Sequence, residues 1–128
     1  MMSKYTALRP ILWTENLDDT IGFYMQILGF SLLERNDEWQ WASLQKDQVY
    51  IMLSRPNEHE KFKGIGFTGS FYFNVDDVDA LWEDLKTKAK ICYEIETFDW
   101  DMREFAIYDN NGYILQFGQP VNEIGKAE

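Results

Sequence analysis

The sequence predicts an α+β fold built from two tandem βαβββ modules. Two observations lead to this expectation. The same order of strands and helix occurs twice, and a polar stretch rich in Gly and Pro separates the two copies. Matched positions also recur at one offset of 61 residues, as in Asn16 and Asp77, Tyr24 and Leu85, and Trp39 and Trp100. An ordered series of such matches indicates an internal duplication.

The predicted boundaries place one domain over residues 1–128. Module 1 covers about 5–54, a linker covers 55–68, module 2 covers 69–118, and a C-terminal tail covers 119–128. A chain of 128 residues is long enough to bury a core without disulfides.

In module 1, residues 5–14 form a predicted strand and residues 17–28 a predicted helix. The helix carries an apolar stripe at helical spacing, Leu17, Ile21, Tyr24 and Leu28. Asn16 is a suitable N-cap, and Gly29 is a suitable stop. Three strands follow at 30–35, 38–45 and 48–54, and the last two are joined by a hairpin turn.

Module 2 repeats this order with a strand at 69–75 and a helix at 76–89 capped by Asp76 or Asp77. The helical stripe is Val78, Leu81, Trp82 and Leu85. Strands follow at 90–96, 102–108 and 113–117. On the last strand Met52 matches Gln116, an offset of 64, which we attribute to a hairpin turn three residues longer in module 2.

The net charge of −10 argues against nucleic acid as a partner, because nucleic-acid binding requires a basic surface. An acidic protein attracts cationic ligands, although the same charge can serve solubility alone. The single Cys92 excludes an internal disulfide and fits a cytoplasmic location. No apolar run has the length of a membrane span, so no membrane partner is expected.

Three local motifs resemble one known superfamily. The segments NLDDTIGFYMQILGF, FNVDDVDAL and FAIYDNNGYILQF, in this order, are similar to the first helix, second-module helix entry and closing hairpin of the vicinal oxygen chelate superfamily. That superfamily includes glyoxalase I, extradiol dioxygenases, fosfomycin-resistance enzymes and bleomycin-resistance proteins. The resemblance covers residues 7–118 and implies cupped sheets forming an open barrel-like cavity with helices outside. It also implies a homodimer.

The resemblance assigns the metal-ligand positions of these enzymes to Arg9, Met52, Ser70 and Gln116. Arg has no lone pair to give, and a Met thioether is a poor ligand for hard divalent cations. One neutral amide cannot hold a metal, and the only histidine, His59, lies in the predicted linker. We therefore expect no metal and no cofactor, as in the bleomycin-resistance proteins, which sequester a drug in the groove where their relatives do chemistry.

Strand alternation predicts which side chains line the groove. Tyr50, Met52 and Ser54 share one face, and Ser70, Tyr72 and Asn74 share another. The full predicted ligand-binding set is Arg9, Trp13, Trp39, Trp41, Tyr50, Met52, Ser70, Tyr72, Asn74, Trp100, Met102 and Gln116. Trp39, Trp41 and Trp100 could equally fill the core or a dimer interface, and Arg9 could bind a ligand carboxylate or an internal Glu.

No catalytic residue is predicted. Four acidic residues are interpreted as solvated surface charges and not as general bases: Glu15, Glu34, Glu38 and Glu104. The leading hypothesis is a protein that binds a small flat or cationic organic molecule without metal, with drug sequestration as one role for such binding. The alternatives are a glyoxalase-like lyase, isomerase or dioxygenase-type enzyme, and a non-catalytic structural or regulatory dimer.

Overall fold

A computed structural model describes residues 3–56, 58, 62–67 and 69–124. The chain divides into two compact units, Met1–Phe62 and Lys63–Glu128. His59, part of the predicted linker and the end of the predicted tail lie outside the described residues. Among the described residues, no helix has both the length and the apolar character that crossing a bilayer requires.

Unit 1 is a four-stranded mixed sheet with one helix. The elements are β1 (Ile11–Trp13), α1 (Leu17–Gly22), a π-helical turn (Phe23–Ile27), β2 (Ser31–Asn36), β3 (Trp41–Lys46) and β4 (Val49–Ser54). The strand order is β1-β4-β3-β2, with β1 parallel to β4 and the other pairs antiparallel. A bulge interrupts the pairing of β2 with β3.

Unit 2 repeats this topology. Its elements are β5 (Phe71–Asn74), α2 (Val78–Leu85), β6 (Lys90–Thr97), β7 (Met102–Tyr108), β8 (Ile114–Pro120) and a 3₁₀ turn (Val121–Glu123). The strand order is β5-β8-β7-β6, and β5 runs parallel to β8. The predicted tandem βαβββ fold is therefore confirmed.

Each helix packs its apolar stripe against the middle of its own sheet. The predicted stripe of α1 is buried along its whole length, and Ile51 and Leu53 of β4 are buried as well. In unit 2 the rings of Trp82, Phe105 and Phe117 are in contact, with centroids about 5.2 Å apart in each consecutive pair. Burying such side chains stabilises the fold by about 1.5–3 kcal/mol for each residue, so the helix-facing side of each sheet is the core of its unit.

Both helices begin at the predicted caps. The side chain of Asn16 accepts a hydrogen bond from the backbone N–H of Asp19 at 3.1 Å, and Asp77 does the same for Ala80 at 3.1 Å. Gly29 follows the first helix with a φ of +82°, a conformation that favours glycine.

The strand register confirms one part of the repeat count and corrects another. Ile11 pairs with Met52 and Tyr72 with Gln116, which preserves the offsets of 61 and 64. Across the hairpins, Trp41 pairs with Ser54 and Glu104 with Gly118. Trp41 therefore corresponds to Glu104, an offset of 63, and not to Met102, which an offset of 61 would give. Two of the three additional residues lie between the Trp100 turn and Glu104, so the hairpin turn alone does not account for them.

Several predicted boundaries differ from the structure. The first strand begins at Ile11, so Arg9 lies in an exposed extended segment. Trp39 lies in the turn before β3, where Gln40 has a φ of +52°. The last strand continues to Pro120 because its residues after Phe117 still pair with β7.

A buried amide ties α2 to the sheet. The Gln119 Oε1 accepts a hydrogen bond from the backbone N–H of Val78 at 3.0 Å, and its Nε2 donates to the carbonyl oxygen of Asp76 at 2.8 Å. Gln119 is 5% exposed. It supplies one of the partners that the first turn of a helix lacks.

We predict that Gln119→Leu lowers the free energy of unfolding by about 1–3 kcal/mol, because the Val78 N–H loses its buried acceptor. Urea denaturation measures the change. Gln26→Leu on the exposed side of the first helix is the matched control and should stay within about 0.5 kcal/mol of the parent. Equal effects of the two substitutions would contradict the role of Gln119.

Candidate functional site

The candidate site centres on Glu104, in the middle of β7. Its side chain lies on the face of the unit 2 sheet opposite to α2, because its neighbour Phe105 contacts Trp82 of that helix. Glu104 is only 2% exposed. The expectation that it is a solvated surface charge is therefore wrong.

Four donors surround the Glu104 carboxylate. Oε1 accepts from the Tyr72 hydroxyl at 2.8 Å and from the Trp100 indole N–H at 3.1 Å. Oε2 accepts from the Tyr93 hydroxyl and, at 3.4 Å, from the Gln116 Nε2. Since every partner donates, the arrangement suits an ionised carboxylate, which is an acceptor only. We call these five residues the Glu104 cluster.

A glycine makes room for this cluster. Gly118 pairs with Glu104 across the β7–β8 hairpin. A Cβ atom at this position would lie 1.9 Å from the Tyr72 hydroxyl oxygen and 2.6 Å from the ring carbon that carries it. Any other residue would displace the Tyr72 ring, so the Tyr72–Glu104 hydrogen bond depends on the absence of a side chain at 118.

Gln116 links the cluster to β5 with a fixed orientation of its amide. The Ser70 hydroxyl donates to the Gln116 Oε1, and the Gln116 Nε2 donates to the Tyr93 hydroxyl at 2.8 Å. Tyr93 in turn donates to Glu104. A directional chain of donors therefore runs from Ser70 to the carboxylate and occupies both ends of the Gln116 amide.

The surroundings keep both phenols protonated. Burial, and then the neighbouring Glu104 carboxylate, raise the pKa of Tyr72 far above its ordinary value. Burial also raises the pKa of Tyr93 to about 12, since the lowering by the Gln116 amide is outweighed by burial together with Glu104. These hydroxyls act as hydrogen-bond donors at neutral pH and are poor acids.

Beside the cluster lies a concavity of about 360 Å³ along β6 and the turn that follows it. Its lining is Tyr93, Glu94, Ile95, Glu96, Phe98 and Trp100. The Phe98 and Trp100 rings are stacked, with centroids 4.7 Å apart and planes 8° from parallel. The lining is aromatic and acidic and contains no Lys or Arg, so it suits a flat molecule with positive charge.

The structure brings some predicted unit 2 residues together. Ser70, Tyr72, Trp100 and Gln116 all belong to the Glu104 cluster or contact it directly. Asn74 is exposed on the same strand as Tyr72 and has no hydrogen bond to the cluster. Met102 is half-buried at the start of β7, on the same face as Glu104.

Six residues of the cluster and the concavity were not among those predicted from the sequence: Tyr93, Glu94, Ile95, Glu96, Phe98 and Glu104. A signal for Glu104 was present, since strand alternation places it on the same face as Met102, a predicted site residue. Tyr93 and Phe98 join the site only through the pairing of β6 with β7 and the turn between them, which no local pattern indicates.

The predicted unit 1 residues form a more apolar surface. Met52 and Trp41 are half-buried on β4 and β3, and Trp13 packs edge-on against Phe62 with centroids 5.9 Å apart. The Arg9 guanidinium lies over the Tyr50 ring at 4.4 Å from its centroid. One possibility left open for Arg9 was an ion pair with an internal Glu. No Glu among the described residues forms an ion pair with Arg9.

Trp39 and Trp100 occupy equivalent turns in the two units. They are 63% and 61% exposed, and each precedes a residue with positive φ, Gln40 or Asp101. In each turn the N–H of that residue donates to the carbonyl three residues earlier, that of Asp37 or Phe98. The backbone repeats, but only Trp100 has a carboxylate within reach of its indole N–H.

The residues at the metal-ligand positions do not fit a divalent ion. Arg9 stacks on Tyr50, and both ends of the Gln116 amide already have partners. Met52 and Ser70 offer no hard anionic donor. No group of three or more His, Cys, Asp or Glu side chains with metal-binding geometry occurs in the described part of the chain.

Comparison with known proteins identifies the family. The glyoxalase/bleomycin resistance protein/dioxygenase superfamily model matches residues 5–117. The chain belongs to this superfamily. It is 32% identical over 120 residues to an uncharacterized protein of Mycolicibacterium smegmatis, covering 94% of this chain and 98% of that protein.

Two further similar proteins carry functional names. A bleomycin resistance protein of Geobacillus stearothermophilus is 28% identical over 127 residues, covering 88% of this chain and 95% of that one. The crystal structure of a lactoylglutathione lyase from Agrobacterium tumefaciens has a TM-score of 0.70 at 16% identity, covering 91% and 96% of the two chains. The latter similarity concerns the fold alone.

We predict that Gly118→Ala destabilises the protein by about 1–3 kcal/mol, because the new methyl group breaks the Tyr72–Glu104 hydrogen bond. The sign of the change in the free energy of unfolding is informative, because Gly→Ala at an ordinary strand position stabilises a protein. Gly22→Ala is the control: this helical glycine has nothing within 4 Å of the position that a methyl group would take, so alanine should stabilise by about 0.5–1 kcal/mol. A neutral or stabilising Gly118→Ala in urea denaturation would refute the assigned contact.

The Tyr93 hydroxyl should ionise late in an alkaline titration. Its raised pKa means that the folded protein holds this proton up to about pH 12, whereas the unfolded chain loses it near pH 10. The stability from this group is therefore complete below about pH 10 and is lost as the pH rises through about 12.

Phenolate absorbance measures this ionisation. Tyr93→Phe should remove one late-titrating group from the folded protein and one ordinary group from the urea-unfolded protein. Loss of an early-titrating group from the folded protein would show that the Tyr93 hydroxyl is not held by burial and by Glu104.

Proposed function

We propose that this protein binds a small, flat organic cation without a metal ion, on the unit 2 face formed by the Glu104 cluster and the adjoining concavity. The observation that carries the proposal is the buried carboxylate that accepts a hydrogen bond from the indole N–H of the exposed Trp100 ring. Trp100 and Tyr72 would supply aromatic surface, and Gln116 would supply a neutral hydrogen-bonding group.

Charge supports a cationic ligand. Glu94 and Glu96 are exposed carboxylates in the lining of the concavity, and the whole chain carries a net charge of −10. Such a field raises the local concentration of cations and speeds their association. An aromatic ring face adds about 0.5–2 kcal/mol of attraction for a cation lying on it.

The hydrogen bonds favour binding over acid–base catalysis. A general base needs a free oxygen within reach of the substrate proton, but each oxygen of Glu104 already accepts two hydrogen bonds. The neighbouring phenols, with raised pKa values, are weak acids at neutral pH. The donor set at the metal positions gives no support to metal-assisted chemistry.

The name of the bleomycin resistance relatives suggests the broader role. We infer that this chain, like a resistance protein, protects by sequestering a compound and not by converting it. A cytoplasmic homodimer is part of the same proposal, based on the single Cys92 and on the family. Sedimentation of the purified protein tests the dimer.

We predict that N-methylacridinium binds saturably to the purified protein and that Trp100→Ala weakens this binding about tenfold, because a stacked cation loses its aromatic surface. Calorimetric titration measures the affinity, and a rise in melting temperature with ligand concentration provides a second measurement. Tyr5→Ala, which removes a fully exposed aromatic ring outside both sheets, should leave the affinity unchanged.

Trp39→Ala is the second control, since Trp39 occupies the equivalent turn in unit 1 without a carboxylate partner. A loss of affinity confined to Trp100→Ala would assign the binding site to unit 2. A similar loss of affinity in Trp39→Ala would show that the unit 1 face binds the ligand as well. No saturable binding of any flat cation, or turnover of a hemithioacetal or catechol with added divalent metal, would overturn the proposal.

A further inference from the structure

Glu104 is a buried negative charge without a positive partner. Every Lys and Arg ion pair of the described residues involves another acid, namely Asp18, Asp37, Asp79, Glu83 or Asp84. Buried carboxylates are ordinarily paired with a cation or a metal. Here four neutral donors satisfy the oxygens but do not cancel the charge, so its field still acts on the aromatic side chains that donate to it.

The duplication shows that the fold does not require this acid. By register, Glu104, Tyr72 and Gln116 of unit 2 correspond to Trp41, Ile11 and Met52 of unit 1. The same backbone thus carries a polar cluster in one unit and apolar side chains in the other. A buried charge that one copy of the fold does without is a specialisation of the other copy.

We propose that Glu104 is the positioning residue that makes the unit 2 face selective for cations over neutral molecules of the same shape. It fixes the Tyr72 and Tyr93 rings through their hydroxyls and the Trp100 ring through its indole N–H. The ligand lies on the ring faces and does not touch the carboxylate, whose charge acts from the ring edges that donate to it. This inference rests on the proposed function and adds the origin of its selectivity.

The test compares two ligands that share one flat ring system and differ in charge and in one N-methyl group. N-Methylacridinium is permanently cationic, and acridine at mildly alkaline pH is its neutral counterpart. Affinities are measured at high salt, because a Debye length of about 3 Å at about 1 M screens the exposed carboxylates but screens a buried one much less. The wild type should prefer the cation by about tenfold or more. Glu104→Gln should abolish most of this preference, because it lowers the affinity for the cation and leaves the affinity for acridine nearly unchanged.

The control for net charge is Glu83→Gln, an exposed position on α2 that pairs with Lys86, and it should keep the wild-type preference. The positioning role has its own signature. The Trp100 indole N–H resonance, assigned with Trp100→Phe, should shift in Glu104→Gln because its charged acceptor is gone. Loss of affinity for both ligands in equal proportion, with no change in the ratio, would show a merely structural role.

Tyr72→Phe keeps the inference testable if Glu104→Gln fails to fold. It removes one hydrogen-bond donor but keeps the charge of Glu104. It should therefore lower the affinity for both ligands by the same factor and preserve the ratio of the two affinities. A ratio that falls to one in Tyr72→Phe would overturn the inference. If the wild type binds both ligands equally well, selectivity by Glu104 is refuted while binding stands; if it binds neither, the proposed function itself fails.

Discussion

The unit 2 sheet face depends on the solvation of one buried charge. Moving a carboxylate out of water costs several kcal/mol unless hydrogen bonds replace the lost water. Four side chains from three strands and a turn supply those bonds to Glu104, and each is thereby fixed in one rotamer. Gly118 is the steric condition for this arrangement, since it lies opposite Glu104 and leaves the space that the Tyr72 hydroxyl crosses.

The two faces of each sheet are under different constraints. The helix-facing side chains form the core of each unit, so both copies retain large apolar residues there, such as Leu53 and Phe117. The opposite face carries no helix, and there the copies differ: Met52 stands where unit 2 has Gln116, and Trp41 where it has Glu104. Keeping one face apolar while altering the other gives a duplicated chain a specific surface without changing its fold.

Much of the fold could be predicted from the sequence because its signals are local and repeated. Stripe spacing and the Asn16 and Asp77 caps determine the helices, and the offset of 61 aligns the modules. The lining of the site was only partly predictable. Alternation identified Tyr72 and Gln116 as neighbours. Glu104 escaped because the offset of 61 matches Trp41 with Met102, whereas two additional residues after the Trp100 turn make Glu104 the true counterpart of Trp41. Contacts between strands, such as that of Gly118 with Tyr72, have no local sequence signal.

The identity of residue 116 follows from its neighbour. The Gln116 Nε2 lies 3.4 Å from the Glu104 Oε2 and donates to Tyr93, while its Oε1 accepts from Ser70. An ionised glutamate at this position would have no proton to give and would face a second carboxylate. Two carboxylates at such a distance cannot both remain charged without a cation between them. With an amide at 116, the single charge of Glu104 is satisfied by neutral donors, and its attraction remains available to a cation outside the cluster.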